Sequence, residues 1–297
     1  MSPSESSDEP TLPITSSPAA LAVAPGRRWR RWLGALALLL LLGFVFWLSS
    51  GPSTAEIEAE VQALGGRVAY KPVCPESILQ RLPASVSQVL GSWGYVHNIA
   101  CPGLNVTDAH LARWGKLHHL HELGIGGSQI TDAGLAHLSG LQNLQLLWFD
   151  STAVTDAGLA HLSGLKNLEV LGIESTAVTD AGLVHLRQLT KIRTLSFTQT
   201  QITGSGLVHL SGIENLQSLF LNDAQITDAE LAHLRGLTNL VDLSLSSTQV
   251  TDAGLRHLAG MKKLQHLTLG SARVTDAGMD LFKKQHPRCL FDTDLLR

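Results

Sequence analysis

Histidine recurs at one position of a repeated pattern and is the most conspicuous group in this sequence with a potential for chemistry. A zinc ion needs its nitrogen ligands within about 2.1 Å, whereas equivalent positions on neighbouring packed helices lie roughly 8–10 Å apart. The histidines therefore cannot share one ion, and their place beside a leucine stripe favours packing or a bond to the adjacent repeat. A cumulative effect of pH stays open, because histidine titrates near pH 6.5. The six positions are His137, His161, His185, His209, His233 and His257.

A second group of histidines is the better candidate for holding a metal. His97 and His121 occupy equivalent positions at the start of adjacent predicted strands, where Cβ atoms lie about 5 Å apart. His118 and His119 are close by in the chain, so two or three imidazoles are candidates for one ion. The alternative is a polar rim near the N-terminal end of the array, which the residue types favour. No cofactor is expected.

Catalysis has little support in the sequence. Serine, histidine and aspartate are plentiful, but they recur with the repeat, so their co-occurrence needs no catalytic triad. The chain has neither a G-x-x-x-x-G-K-[ST] phosphate loop nor an H-E-x-x-H zinc motif. Its cysteines are Cys74, Cys101 and Cys289, an odd number in which a Cys74–Cys101 bridge stays open. The formal net charge of −3 gives no basic patch for nucleic acid. We therefore predict a protein that is not an enzyme.

A 24-residue unit, recurring without insertion or deletion, must position all these groups. The third unit is V-T-D-A-G-L-A-H-L-S-G-L-K-N-L-E-V-L-G-I-E-S-T-A. A fixed period of this length is typical of a stacked array in which no unit buries its apolar face alone. The units begin at Val106, Ile130, Val154, Val178, Ile202, Ile226, Val250 and Val274.

The spacing of leucine changes within each unit. Three leucines recur every three residues, which predicts an α- or 3₁₀-helix, and the last two apolar positions alternate as in a short strand. Thr155 or Asp156 is the predicted helix cap, since a short side-chain oxygen there accepts a bond from an unpaired backbone N–H. In the third unit the apolar positions are Leu159, Leu162, Leu165, Leu168, Leu171 and Ile173.

The segment L-x-x-L-x-I-x-x-T-x-V resembles the signature of leucine-rich repeats over residues 96–297. The resemblance implies an α/β fold, a leucine-rich repeat solenoid with a curved parallel sheet on the concave side and short helices on the convex side. The T-D-A-G-L-x-H-L variant is similar to membrane-linked repeat proteins of planctomycete bacteria, and also to the repeats of F-box proteins. The family's usual Asn or Cys is replaced at Ser128, Thr152, Thr176, Thr200, Ala224, Thr248 and Ala272. At the threonines the hydroxyl is still expected to bond backbone groups of the turn between repeats.

Strand alternation predicts which side chains face the concave surface. Most are small and polar, but Trp148 and Phe220 are large rings with no folding reason to be exposed. Each ring either contacts a ligand or covers neighbouring side chains. The residues predicted to bind a ligand are Trp148, Asp150, Glu174, Phe220, Asn222 and Asp242.

The N-terminal segment predicts a membrane anchor. Residues 1–26 are rich in Ser and Pro and indicate a disordered tail. Residues 27–51 combine four arginines with an uncharged run from Trp32 to Leu48, which just reaches the roughly 17–25 residues that a crossing helix needs. The first charges beyond the run, from Glu56 onward, are acidic. The positive-inside rule therefore places the N-terminus in the cytoplasm and the repeats outside it.

A cleaved signal peptide is the alternative to this single-pass signal-anchor. Ser53-Thr54-Ala55 fits a cleavage site, although a signal peptide has a shorter apolar stretch, about 7–15 residues. Export is thus better supported than anchoring. The predicted regions are a cytoplasmic tail (1–26), the basic flank and transmembrane anchor (27–51), an N-terminal cap with the first strand (52–105), the repeats (106–273) and a C-terminal capping repeat (274–297).

Both caps show local patterns. Residues 54–70 predict a helix that ends at Gly65-Gly66 and a strand that begins at Arg67, and residues 75–82 predict another short helix. At the far end Met279 and Phe282 replace leucines, and His286-Pro287 interrupts the pattern.

The sequence thus predicts a non-catalytic, exported and membrane-anchored scaffold that recognises a protein or polysaccharide on its concave face. Besides a metal-dependent protein centred on His97 and His121, two alternatives remain. One is a structural protein of the bacterial envelope without a specific ligand. The other is an F-box-like adaptor, which requires cytoplasmic repeats, contrary to the charge asymmetry.

Overall fold

One sheet runs through the part of the chain that the computed structural model describes, namely residues 53–72, 94–101, 105–127 and 129–292. Its ten strands follow one another in chain order. From β2 onward all neighbours are parallel, whereas β1 pairs antiparallel with β2. The strands are β1 (Arg67–Pro72), β2 (Gly94–Cys101), β3 (Glu122–Gly126), β4 (Leu146–Asp150), β5 (Val170–Glu174), β6 (Thr194–Ser196), β7 (Ser218–Phe220), β8 (Asp242–Ser244), β9 (His266–Thr268) and β10 (Leu290–Asp292).

A helical segment precedes each strand from β3 to β10, as the leucine spacing predicts, and helical segments of neighbouring repeats contact each other. The α-helices are α1 (Thr54–Ala63), α2 (Asp108–Trp114), α3 (Asp132–Ala136), α4 (Asp156–Ala160), α5 (Asp252–Leu255) and α6 (Asp276–Gln285). Four further segments are 3₁₀-helices: Gly182–His185, Ser205–Leu210, Glu230–Gly236 and Arg256–Leu258.

The strand register repeats the sequence period. Leu123 pairs with Leu147 and Leu147 with Leu171, so equivalent positions form continuous rows across the sheet. Because side chains alternate along a strand, one face of the sheet carries the apolar rows. These side chains and the helical leucines are buried in a single core, where each contributes about 1.5–3 kcal/mol of burial free energy.

Neighbouring repeats are joined by an aspartate of one repeat and a threonine of the next. Asp132 Oδ1 accepts a hydrogen bond from the Thr155 backbone N–H at 2.8 Å, and Asp132 Oδ2 accepts one from the Thr155 hydroxyl at 2.7 Å. The Thr155 oxygen also accepts from Ala157 N, which makes Thr155 the helix cap. We call this arrangement the carboxylate clamp. It recurs as Asp108–Thr131, Asp132–Thr155, Asp156–Thr179, Asp180–Thr203, Asp228–Thr251 and Asp252–Thr275.

The glycine of the T-D-A-G-L motif leaves room for the clamp. A Cβ atom on Gly158 would lie 2.4 Å from Asp132 Oδ1, closer than a non-bonded contact allows. A side chain at this position would therefore push the carboxylate away from Thr155. The same close approach occurs at Gly134, Gly182, Gly206, Gly254 and Gly278.

Two repeats have no clamp to the repeat before them, and in both the glycine of the T-D-A-G-L motif is replaced by another residue. Gly204 stands where the clamp aspartate would be, and the next repeat carries Glu230 at the glycine position. Glu230 turns back to accept hydrogen bonds from the backbone N–H (2.9 Å) and the hydroxyl of Thr227. The first repeat does the same with His110, whose Nδ1 lies 3.0 Å from Thr107 N. A repeat without a preceding aspartate thus caps itself.

A left-handed residue follows most strands on their C-terminal side. The backbone φ is 52° at Ser151 and 57° at Asp223, a conformation that costs a non-glycine residue roughly 1–2 kcal/mol. The threonine that follows was expected to bond the turn. Thr200 and Thr248 do so, donating to Phe197 O and Leu245 O. The non-glycine positions are Ser151, Ser175, Gln199, Asp223, Ser247 and Ser271.

The expectation fails at Thr152 and Thr176, whose buried hydroxyls have no hydrogen-bond partner among the described residues. There the small apolar surface of threonine, rather than its hydroxyl, fills the turn.

The helix and the strand that the sequence predicts within residues 54–70 are present as α1 and β1. Helix α1 buries Ile57 and Val61, and Ser53 caps it through a capping box with Glu56. Strand β2 continues the repeat rows, as predicted, with Ile99 paired to Leu123.

At the C-terminal end α6 lies where the pattern ends, with Phe282 buried and stacked on His286. Strand β10 was not predicted, because its three residues carry too short a pattern.

Several predictions fall outside the described residues: the tail, the anchor at 27–51, the helix at 75–82 and any role of Cys74. Within the described ranges no helix combines the length and the apolar character that a membrane crossing requires.

Candidate binding surface on the sheet

The strands β3–β9 present one row of side chains to the core and the alternate rows to the opposite side, which we call the open face. In β4, Leu147 and Phe149 are buried, whereas Leu146, Trp148 and Asp150 are half-buried. The open face is thus the predicted concave surface. It carries all six predicted binding residues: Trp148, Asp150, Glu174, Phe220, Asn222 and Asp242.

The two aromatic rings lie in one row of the open face. Trp148 pairs with Gly172, Gly172 with Ser196, and Ser196 with Phe220. At about 4.8 Å between strands, the rings are separated by roughly 14 Å along the sheet. The floor between them is small, because Gly172 has no side chain and Ser196 is buried.

The Trp148 indole extends over the neighbouring strand. A Cβ atom built on Gly172 would lie 2.3 Å from the indole Cδ2, so the ring occupies the space that a side chain there would need. The ring therefore covers part of the sheet, as one interpretation of the sequence held, and still remains half-exposed. Its position is fixed before any ligand arrives.

The open face is acidic. Strands β3–β9 contain four carboxylates and no lysine or arginine. Because no cation lies between them, the carboxylates give this face a negative potential. The four residues are Glu122, Asp150, Glu174 and Asp242.

Two of the four carboxylates are engaged within the sheet. Glu122 accepts a hydrogen bond from the Asn98 side chain. Asp242 Oδ2 accepts from the Ser218 hydroxyl at 2.7 Å, and its Oδ1 lies 2.5 Å from His266 Nδ1. Strand alternation predicts Asp242 on this face but not its pairing with His266, although the two residues share one repeat position.

The polar residues near the turn side differ in their contacts. Glu174 Oε1 accepts from the Ser196 hydroxyl at 2.5 Å. Asn222 Oδ1 accepts from Ser246 N at 3.0 Å and from the Ser244 hydroxyl at 2.5 Å, so Asn222 is held in place by the next strand.

The histidines predicted as metal candidates stack on each other. The rings of His97 and His121 are 4.2 Å apart between centroids and 11° from parallel, and His121 Nδ1 lies 2.7 Å from His119 O. Nitrogen lone pairs lie in the ring plane, so two nearly parallel rings do not converge on one ion. No group of three His, Cys, Asp or Glu residues in the described ranges has metal-binding geometry.

At this rim the electrostatics favour the neutral form of two imidazoles, those of His97 and His119. Burial, together with His121 and Lys71, lowers the pKa of His97. Burial and the neighbouring His118 and His121 likewise lower the pKa of His119, whose ring centroid lies 4.6 Å from that of Tyr95 at a tilt of 39°. These contacts match the polar rim that was the alternative to a metal site.

For the six repeated histidines the expectation is packing or a bond to the adjacent repeat, and all six lie outside the buried core. His137, His161 and His233 are exposed, and the other three are half-buried. His257 contacts Arg235 of the preceding repeat, the kind of bond that was the other expectation.

Nucleophilic thiols are not available on the described part of the chain. Cys101 and Cys289 are free and buried. Burial raises the pKa of each thiol to about 11, with Glu60 adding to the effect at Cys101. A thiol with so high a pKa is protonated at neutral pH and reacts slowly.

Comparisons with known proteins point to one family. Residues 109–294 match a family model described as a leucine-rich repeat region. Among solved structures, internalin C2 from Listeria monocytogenes is 25% identical with a TM-score of 0.51, over 61% of this chain and 74% of that chain. An internalin (inlF) from the same bacterium is 17% identical with a TM-score of 0.39, over 74% and 87% of the two chains. No curated protein matches the chain.

Proposed function

The chain belongs to the leucine-rich repeat family, and from this premise we propose that it is a non-catalytic scaffold that binds a protein through its open face. One observation carries the proposal. Trp148 and Phe220 lie in one row of a face that is otherwise small and polar, with two small residues between them. Tryptophan is enriched among the residues that dominate binding energy.

The order of the open face supports recognition without rearrangement. The strands are held in register by backbone hydrogen bonds, and Asn222 and Asp242 are fixed by contacts to adjacent strands. A surface that is ordered before binding loses little conformational entropy when a partner docks.

We also propose that the repeats lie outside the cytoplasm and are tethered to the membrane. The support is in the sequence: arginines flank the uncharged run on one side, and acidic residues follow on the other. A cysteine introduced at Ser211 of the full chain should react with a membrane-impermeant maleimide in intact cells. A cysteine introduced at Ser7 should not. The reverse labelling would place the repeats in the cytoplasm and contradict the proposal.

The binding proposal is tested by affinity capture with the full chain. The test variant is Trp148→Ala with Phe220→Ala, which removes both rings of the open face. The matched control is Val208→Ala with Leu281→Ala, since Val208 and Leu281 are also large, apolar and exposed (45% and 52%) but lie outside the open face. Circular dichroism checks that both variants remain folded.

A partner retained by the wild type and the control, and lost by the test variant, is the expected result. Equal capture by both variants would remove the open face as the binding site. Loss of the partner only in the control would move the site to the helical side of the molecule.

A further inference from the structure

The two edges of the sheet differ in whether a further strand can pair with them. Strand β1 carries Lys71 and Pro72, and its register shifts between Ala69 and Tyr70. Lysine, proline and register shifts on an edge strand hinder pairing with another chain. Strand β10 consists of a leucine, a phenylalanine and an aspartate and has none of these three features. Of the two edges that the structure describes, β10 is therefore the one open to another strand.

The backbone of β10 presents hydrogen-bonding groups on its outer side. The Leu290 N–H donates to Gln265 O at 2.6 Å, and Asp292 O accepts from the Leu269 N–H at 2.9 Å, so residues 290 and 292 bond toward β9. Because these groups alternate in direction along a strand, the N–H and C=O of Phe291 point away from the sheet. No described residue bonds to them. Such a free N–H and C=O can pair with a strand of another chain.

An apolar side chain is exposed on this edge strand. Leu290 is 66% exposed, the highest value among the large apolar side chains of the described ranges. Its row carries polar residues on the three preceding strands, namely Ser218, Asp242 and His266. Leu290 thus contributes little to the core of its own chain, whereas contact with a second apolar side chain would remove its surface from water.

The helix next to β10 has its charges divided between its two halves. Asp276 and Asp280 lie in the first half of α6 and Lys283 and Lys284 in the second half, and all four side chains are exposed. None of the ion pairs between described residues includes them. This order of charges suits the helix dipole. It also makes the surface of α6 complementary to a second α6 that runs in the opposite direction.

We infer that the C-terminal end of the array binds a second copy of this chain, through β10 and α6, about a two-fold axis perpendicular to the sheet. The two β10 strands pair antiparallel, so that the free backbone groups of Phe291 bond across and the two Leu290 side chains cover each other. The same axis sets the acidic half of each α6 against the basic half of the other. A two-fold interface requires a surface that is complementary to itself, and both elements meet this requirement. The inference is independent of the ligand of the open face.

A disulfide tests the strand pairing. With Phe291 bonding across, the two copies of residue 290 oppose each other at a non-hydrogen-bonded position, where Cα atoms lie about 4.5 Å apart. A disulfide spans Cα distances of about 4.4–6.8 Å. Leu290→Cys in the full chain should therefore form a covalent dimer under mild oxidation, seen on a non-reducing gel. The matched control is Val208→Cys, because Val208 is also apolar and exposed (45%) but lies on a 3₁₀-helix in the middle of the array. The control and the wild type, which keeps the native cysteines, should not form this dimer.

Reversal of charge tests the helix contact. The first variant is Lys283→Glu with Lys284→Glu, and the second is Asp276→Lys with Asp280→Lys. Each alone should weaken self-association at least about tenfold, because like charges then oppose each other across the axis. An equimolar mixture of the two should restore association, since an acidic helix then meets a basic one. Analytical ultracentrifugation of the full chain in a mild detergent measures the mass over a dilution series, and circular dichroism checks that each variant is folded.

The control for charge reversal is Arg187→Glu with Lys191→Glu, which changes the same charges at exposed sites outside α6. It should associate as the wild type does. A wild type that is monomeric at every concentration, association that persists in both reversed variants, or a mixture that stays monomeric would each overturn the inference. A Leu290→Cys dimer no more abundant than that of Val208→Cys would also overturn it. Association that is lost only in Trp148→Ala with Phe220→Ala would place the second copy on the open face instead.

Discussion

The junctions between repeats are built in two ways, and the contrast explains the irregular positions of the sequence. At a clamped junction, Asp132 reaches across to Thr155, and Gly158 leaves space for its carboxylate. At the self-capped junction, Gly204 supplies no carboxylate, and Glu230 bonds Thr227 from within the same repeat. In both cases a carboxylate accepts a hydrogen bond from the backbone N–H of the threonine at the same repeat position.

The contrast shows that two motif positions, 26 residues apart, depend on each other. An aspartate in one repeat requires a glycine in the next, because the carboxylate occupies the space of a Cβ atom there. Where the aspartate is missing, the glycine position is free to carry a capping side chain such as Glu230 or His110. Each repeat is therefore matched to the one before it.

The largest effect is expected from placing the wrong residue at a clamped junction. Gly158→Glu puts a side chain where Asp132 Oδ1 lies, 2.4 Å from the new Cβ. Overpacking and the loss of hydrogen bonds to a charged acceptor should reduce the free energy of unfolding by about 3 kcal/mol. Urea unfolding followed by circular dichroism measures it.

Gly164→Ala is the control for this variant, because nothing lies within 4 Å of a Cβ atom at that position. It should change stability by less than about 0.5 kcal/mol. Equal losses in the two variants would show that glycine itself, and not the space for Asp132, matters.

A smaller loss of unfolding free energy is expected from single substitutions at the self-capped junction. A second substitution should restore part of this loss. Gly204→Asp alone places a Cβ atom 2.6 Å from Glu230 Cβ on a backbone with a φ of 93°. Glu230→Gly alone removes the cap of Thr227. Each variant should lose about 1–2 kcal/mol of unfolding free energy.

The double variant should recover at least about 1 kcal/mol relative to the sum of the two losses, because it recreates an aspartate–glycine pair. The three unfolding curves form a double-mutant cycle. Strict additivity would mean that the two positions do not communicate and would contradict the matching rule.

The C-terminal cap is a third kind of junction and should differ from the clamps in its pH dependence. Burial lowers the pKa of His286, which stacks on Phe282 at 4.2 Å. Because the folded-state pKa lies below the unfolded value of 6.5, the burial of neutral His286 contributes fully to stability above pH 6.5. This contribution is lost as pH falls below 6.5.

His286→Phe should therefore flatten the decline of stability between about pH 6.5 and 5, measured as thermal midpoints in a series of buffers. His137→Phe, at an exposed position, should leave the decline unchanged. If stability declined with falling pH in His286→Phe as it does in the wild type, another group would be responsible for the decline.

The clamp formed by Asp180 responds to pH in a lower range. Burial raises the pKa of Asp180, but hydrogen bonds from Ser205 and Thr203 outweigh it and hold that pKa below its usual value of 3.8. The stability from this clamp is thus present above pH 3.8 and lost as pH falls further.

The smallest change in unfolding free energy should be equal at the turns of a clamped and of the self-capped junction. Ser151→Gly and Asp223→Gly relieve left-handed backbone, with φ of 52° and 57°, and should each raise the free energy of unfolding by about 0.5 kcal/mol. Ser211→Gly is the control, since its φ of −57° gains nothing from glycine. A gain at only one of the two turns would mean that junction type also sets the strain of the turn.

The sequence predicted most of the fold because its period is uninterrupted. The leucine rows, the helix caps at threonine, α1 and the first strand follow from local patterns. Asp156 was considered only as a cap, and its true contact with Thr179 was missed, because it joins residues 23 positions apart. The exchange of Gly204 and Glu230 was visible in the letters, but only the distance between their carbon atoms explains it.

The sequence predicts which face of the sheet carries the candidate binding residues, but not which contacts these residues make. Strand alternation placed Trp148 and Asp150 on one side correctly. It gave no information on which carboxylates are already engaged, because side-chain contacts such as that between Asp242 and His266 depend on rotamers. The exposure of the repeated histidines, three exposed and three half-buried, was not predictable, because a helical position beside leucine does not fix its depth.

The paired exchange at Gly204 and Glu230 also restricts how this gene can change length. Loss of residues 202–225 alone would set Glu230 against Asp180, whose carbon atoms already lie 2.8–2.9 Å from a Cβ atom at Gly206. Loss of residues 226–249 alone would leave Thr251 without an aspartate. Removal of both repeats together would bring Asp180 to Thr251 and Gly254, a matched pair. Recombination should therefore delete or duplicate these two repeats as one heritable unit, while the clamped repeats can be exchanged singly.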